Sequence, residues 1–158
     1  MLACLCCLFC GVRQFHAGKV WLFSKKQYTG NTPIRVPGQQ SKGPSSLLLC
    51  FLELKKGEPV PDWNTAYLNG GKFSVMTEEV MNPASQDSIV VGTIKDTKMA
   101  AVIKPEAGSR IIHLLLAREG DDGKAKDESF TLKGRIGKKE LEIKSKESVV
   151  ELTPDLMP

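Results

Sequence analysis

Hydrophobic and polar positions alternate most clearly near the C-terminal end. Across residues 130–136, Phe130, Leu132, Gly134 and Ile136 alternate with Thr131, Lys133 and Arg135, the period of two that sends side chains to opposite faces of a strand. Gly137-Lys138 then suits the centre of a type II′ turn. On the return, Leu141 and Ile143 alternate with Glu140, Glu142 and Lys144. A second turn near Lys146-Glu147 leads into 148–152, so the pattern predicts a meander of three antiparallel strands, wet on one face and ended at Thr153-Pro154.

Upstream the pattern changes from alternating to continuous. Residues 47–54 (LLLCFLEL) form an apolar run ended by Lys55, Lys56 and Gly57, short enough for a strand buried on both faces. Residues 110–118 (RIIHLLLAR) read the same way, although their leucine content also suits a helix. Residues 72–76 predict a strand, and 77–81 one helical turn stopped by Asn82-Pro83. The β-branched runs 88–95 and 99–104, separated by Asp96-Thr97-Lys98, predict a hairpin. Between Gly57 and Gly71, Pro59, Pro61 and the Asn69-Gly70-Gly71 turn signal predict a loop pinned to the core by Trp63 and Tyr67.

Near the start, residues 19–24 (KVWLFS) are a short strand candidate. The stretch 25–46, broken by Pro33, Pro37, Gly38, Gly43 and Pro44, reads as linker. Three segments result: a Cys-rich extension (1–18), a basic strand and linker (19–46), and a β-rich globular domain (47–158). The fold class expected is all-β and mainly antiparallel, a small barrel or sandwich with a C-terminal three-stranded meander and a loosely ordered N-terminal extension.

Composition sharpens this picture. The chain has 158 residues, 41% hydrophobic and 25% charged, an ordinary balance for one domain. Aromatics are 6%, which leaves most of the core to Leu, Ile and Val. The net charge of +4 hides a division: residues 1–56 hold eight basic side chains against one acid, Glu53, a net of +7, while the remainder is at −3. Any attraction to a polyanion therefore resides toward the N-terminus.

Cys4, Cys6, Cys7 and Cys10 crowd the first ten residues, and Cys50 sits in an apolar run. Adjacent cysteines pair poorly, so this is no spaced disulfide framework, and an intracellular, cytoplasmic setting is favoured. A lone C-x-x-C without a second pair does not make a zinc site. The apolar stretch 2–12 is shorter than a membrane-crossing helix and lacks the basic flank of a signal peptide. Three readings of the N-terminus stay open. One is acylation of Cys4, Cys6, Cys7 and Cys10 beside a basic stretch, giving peripheral membrane contact; the others are organelle targeting and a plain extension.

Chemistry is sparse. His16 lies in the extension, and His113, inside an apolar run, reads as a hydrogen-bonded core residue. The acid pairs Glu78-Glu79 and Asp121-Asp122 read as solvated. No phosphate loop, dinucleotide fingerprint or metal motif occurs, so neither catalytic residues nor a cofactor is expected. The lysines of 124–146 are interleaved with Asp127, Glu128, Glu140 and Glu142, as cross-strand pairs on a surface would be. The N-terminal basic stretch differs: Lys19, Lys25, Lys26 and Arg35 mingle with Trp21, Phe23 and Tyr28 and have no compensating acid. That is the composition of a surface that tracks phosphates and stacks bases. The expected function is a non-enzymatic β-domain binding single-stranded nucleic acid through those seven residues. The competing expectation is a structural or protein-interaction β-domain, tethered to a membrane through its N-terminal cysteines.

Overall fold

The computed structural model describes residues 17–27, 45–82, 88–121 and 129–154. They form ten strands: β1 (Ala17–Gln27), β2 (Ser45–Leu54), β3 (Asp62–Leu68), β4 (Gly71–Met81), β5 (Ile89–Thr93), β6 (Ala100–Ile103), β7 (Arg110–Asp121), β8 (Phe130–Ile136), β9 (Lys139–Ser145) and β10 (Val149–Leu152). Eight make one sheet in the order β10-β1-β2-β7-β4-β3-β8-β9, and β5 and β6 pair separately. The large sheet is mostly antiparallel and curls into a half-barrel. The all-β expectation is met.

The two continuous apolar runs occupy the middle of this sheet for a simple reason. In β2, Leu48, Cys50, Leu52 and Leu54 point into one hydrophobic cluster, and Leu49 and Phe51 into another on the opposite face. β7, its antiparallel neighbour, divides likewise, with Ile112, Leu114 and Leu116 on the first side and Ile111 on the second. A strand apolar at every position is stable where both faces are covered. The first cluster is closed by Trp63 and Ala66 of β3 and Phe130 and Leu132 of β8; the second is roofed by Ala101 and Ile103 of the β5–β6 hairpin.

Irregular register supplies the curl. Bulges interrupt β1 between Ala17 and Val20, β3 between Trp63 and Thr65, β4 between Val75 and Thr77, and β7 at Glu119, the extra residue where Lys72 faces Gly120 and Phe73 faces Arg118. Each adds local twist and bends its strand. The turns follow the sequence: Asn69 and Gly70 have positive φ (49° and 75°) between the paired Leu68 and Gly71, a two-residue type I′ connection. Gly137 (φ 59°) fits the first position of the II′ turn between β8 and β9.

Three expectations need correction. Residues 77–81 continue β4 rather than forming a helical turn, because residues 77 to 81 pair with Leu115 to Ile111 of β7. Trp63 and Tyr67 belong to a strand, β3, instead of a loop. The third strand of the predicted meander, β10, pairs parallel to β1 at the far edge of the sheet, not beside β9. Its apolar residues occupy both parities: Val149 packs on the first cluster, Val150 and Leu152 on the second. The wet face of β9 cannot cover both. β1, apolar on both sides through Leu22 and Phe23, can. β1 itself lies inside the sheet between β10 and β2, so the body of the domain includes it.

Candidate interaction surface

The basic aromatic segment is spread over two faces of β1. Trp21, Phe23 and Lys25 share one face by strand alternation, Lys26 lies on the other, and Lys19 falls in the bulge between Ala17 and Val20. Phe23 is 5% exposed and meets Phe51 edge to face, with ring centroids 5.8 Å apart. Its ring has no free side on which a base could stack. Trp21 is half-buried against the same cluster, Lys25 is half-buried, and Lys19 and Lys26 are exposed. Tyr28 and Arg35 lie outside the described residues, as do Cys4, Cys6, Cys7, Cys10 and His16.

The outer face of β8 and β9 carries charges of both signs. The register sets Lys133 opposite Glu142 and Arg135 opposite Glu140, and Lys144 Nζ lies 3.5 Å from Glu142 Oε1. Lys133 also sits 5.3 Å from the centre of the Tyr67 ring. A shallow depression of about 400 Å³ is framed here by Asn64, Lys133, Arg135, Glu140 and Glu142. Opposed cross-strand charges of this kind stabilise the sheet modestly and leave little net field.

Burial raises the Cys50 thiol to about 12, so at neutral pH it is an apolar filler. His113 stacks on Phe51 with centroids 4.3 Å apart and planes 2° from parallel; its Nε2 is buried with no hydrogen-bond partner among the described residues. Desolvation lowers its pKa, and Glu79, its register partner, opposes that shift. Burial, reinforced by Asp62, raises Glu78. Glu53, 1% exposed, accepts a 3.2 Å hydrogen bond from the Glu106 amide and so ties the loop before β7 to β2. Among the described residues no three His, Cys, Asp or Glu side chains gather as a metal site would require. No helix there is long and apolar enough to cross a membrane.

The feature the sequence reading missed is the outer face of the β5–β6 hairpin. Val90 and Val102 are directly opposed across the two strands and are 67% and 46% exposed. Met99, at the end of the turn, is 66% exposed. The other face is committed: Ile89, Val91, Ala101 and Ile103 pack on the second cluster. The hairpin is also laced to β10 by hydrogen bonds from Lys95 N to Glu151 O (3.0 Å) and from Thr153 N to Thr93 O (2.8 Å). The signal was present in Ile89-Val90-Val91, because a strand with three successive apolar residues and one covered face must turn one of them outward. Comparison with protein-family models, with curated proteins and with solved structures gave no match to this chain.

Proposed function

We propose that this chain is a non-enzymatic interaction domain whose β5–β6 hairpin docks on an apolar surface of a protein partner. The observation that carries this reading is the opposed, outward Val90–Val102 pair with Met99 beside it, on a hairpin whose opposite face is already anchored. Exposed apolar side chains grouped on one rigid element are the usual form of a contact surface. Fully burying an exposed Val or Met side chain contributes about 1.5–3 kcal/mol; these three are already partly covered, so each adds a fraction of that and they would form the apolar centre of a contact whose rim is polar.

The test is a photo-crosslinking amino acid placed at Val90 or Met99 in cells that make the protein, with position 56, in the exposed turn after β2, as control. A discrete protein adduct from 90 and 99 but not 56, lost in Val90→Lys/Val102→Lys without a change in far-UV circular dichroism, is the expected result. Binding of a single-stranded oligonucleotide that weakens steeply with salt and is lost in Lys19→Glu/Lys26→Glu would favour the nucleic-acid reading instead. Deleting residues 1–46 would not make that distinction, because it removes β1 from the sheet.

A further inference from the structure

The two edges of the large sheet are unequal. Alongside β10, the segment at Thr93 to Lys95 supplies backbone hydrogen bonds and an isolated bridge between Ile94 and Leu152. β9 pairs with β8, and among the described residues nothing pairs with its other side. The turn at Gly137-Lys138 closes on the pair Ile136 and Lys139, which makes that pair mutually hydrogen-bonded. By alternation, positions 139, 141, 143 and 145 bond to β8, and the N–H and C=O groups of Glu140, Glu142 and Lys144 point outward. Such an edge is a template for another strand.

We infer that the strand it takes is β9 of a second copy of this chain, antiparallel, with Ile143 on the two-fold axis. Two copies can pair only in registers that bring outward backbone groups against outward ones, which shifts the centre in whole-residue steps along the strand. With Ile143 at the centre, Glu142 faces the second copy's Lys144 and Lys144 faces its Glu142; one step further out, Glu140 faces Lys146. Shifting the centre to Glu142 sets that carboxylate against its own copy, and shifting it to Lys144 does the same to the ammonium. Like charges directly opposite are unfavourable, so one register is selected over its neighbours. The charges on β9 are the sort that normally blunt an edge; here their order makes the edge complementary to itself. Lys144 and Glu142 are already 3.5 Å apart within one strand and 68% and 44% exposed, so both are placed to complete a four-charge cluster. The unpaired outer half of β4 offers no equivalent. Beyond the pairing of residues 71–74 with β3 it carries Glu78 and Glu79 without a cation, and a second copy there would meet like charge. Pairing along β9 is isologous and closes after two copies. It uses a different surface from the hairpin and stands or falls separately from the proposed function.

Sedimentation velocity on the full chain over a wide concentration range tests it. Wild type is expected to show a reversible monomer–dimer equilibrium weakened by salt, with the amides of Glu142 and Lys144 exchanging more slowly as the dimer fills. Lys144→Glu and Glu142→Lys, each checked for unchanged circular dichroism and melting, should each weaken association by about tenfold or more. Mixing these two variants should restore a heterodimer, because every opposed pair is then again of opposite sign. A wild type that stays monomeric at the highest concentration, association indifferent to Lys144→Glu, growth beyond dimers, or no recovery on mixing would each overturn the inference.

Discussion

Individual side chains in this domain are constrained by what lies on the two sides of the sheet. Cys50 is fully buried and its thiol is raised to about 12. It is expected to ignore thiol reagents in the native state and to react only as fast as the chain opens, which labelling with and without denaturant would show. Gly134 lies under Trp63: a Cβ there would strike the Asp62 carbonyl oxygen and stand 2.6 Å from the indole. Gly134→Ala should therefore cost about 1–3 kcal/mol in denaturant unfolding, the usual range for overpacking. His113 adds a pH dependence. Its folded pKa lies below the ordinary 6.5, so the unfolded chain binds more protons in that window and stability rises with pH. The contribution is complete above the ordinary imidazole range and drains as pH falls through 6.5 toward the folded value. His113→Phe, which keeps the stack on Phe51, should flatten the melting temperature between about pH 7 and 5. The sequence expected His113 to be a hydrogen-bonded core residue; it is half-buried, its ring stacks on Phe51, and its buried Nε2 has no partner among the described residues, an arrangement no spacing rule announces.

Elements that carry their own pattern were readable from residues alone. The β8–β9 hairpin, the Asn69-Gly70 turn and the β5–β6 hairpin follow from local periodicity and turn chemistry, whereas the continuous apolar runs of β2 and β7 suit a helix as well as a strand and are decided by their pairing. β3 escaped because its bulge between Trp63 and Thr65 shifts the parity: Trp63 and Ala66 both reach the core though three positions apart, and the period of two disappears. The far half of β4 escaped for another reason. Thr77-Glu78-Glu79-Val80-Met81 has no strong local preference, and the ladder with β7 decides it. The hairpin roof offers a test of how the second cluster is held. Ile103 is fully buried beneath it, and Ile103→Ala should cost about 2–5 kcal/mol. The loss should appear first as faster amide exchange in 89–94 and 100–103, while β3 and β8, which pack on the opposite cluster, remain protected.

At the scale of the molecule, one central group of strands serves two cores, with β3 and β8 covering one side and the β5–β6 hairpin the other. The sequence conveyed the class of this arrangement but not its order. The adjacency of β1 and β10 depends on pairing between segments near opposite ends of the described chain, which local periodicity cannot encode. The candidate surfaces divide the same way. The +7 segment was conspicuous in composition, yet Phe23 within it is spent on packing, whereas Val90 and Val102 became visible as a pair only once the hairpin had a covered side.

The parallel seating of β10 against β1 also sets a timetable. A chain made from its N-terminus holds β1 ready long before the strand that flanks it exists, and Leu152, 1% exposed, lies in β10, the last of the described strands to be made. Contacts this remote close slowly, since loop entropy is spent before they form. During synthesis the second cluster would stay open along β1 until the end of the domain clears the ribosome. A nascent chain stalled with residue 148 just outside the exit should be cut readily by protease within residues 17–27, and one extended past residue 154 should resist. This domain would thus depend on its final strand for completion, and the interval before that strand emerges is when chaperone protection would matter most.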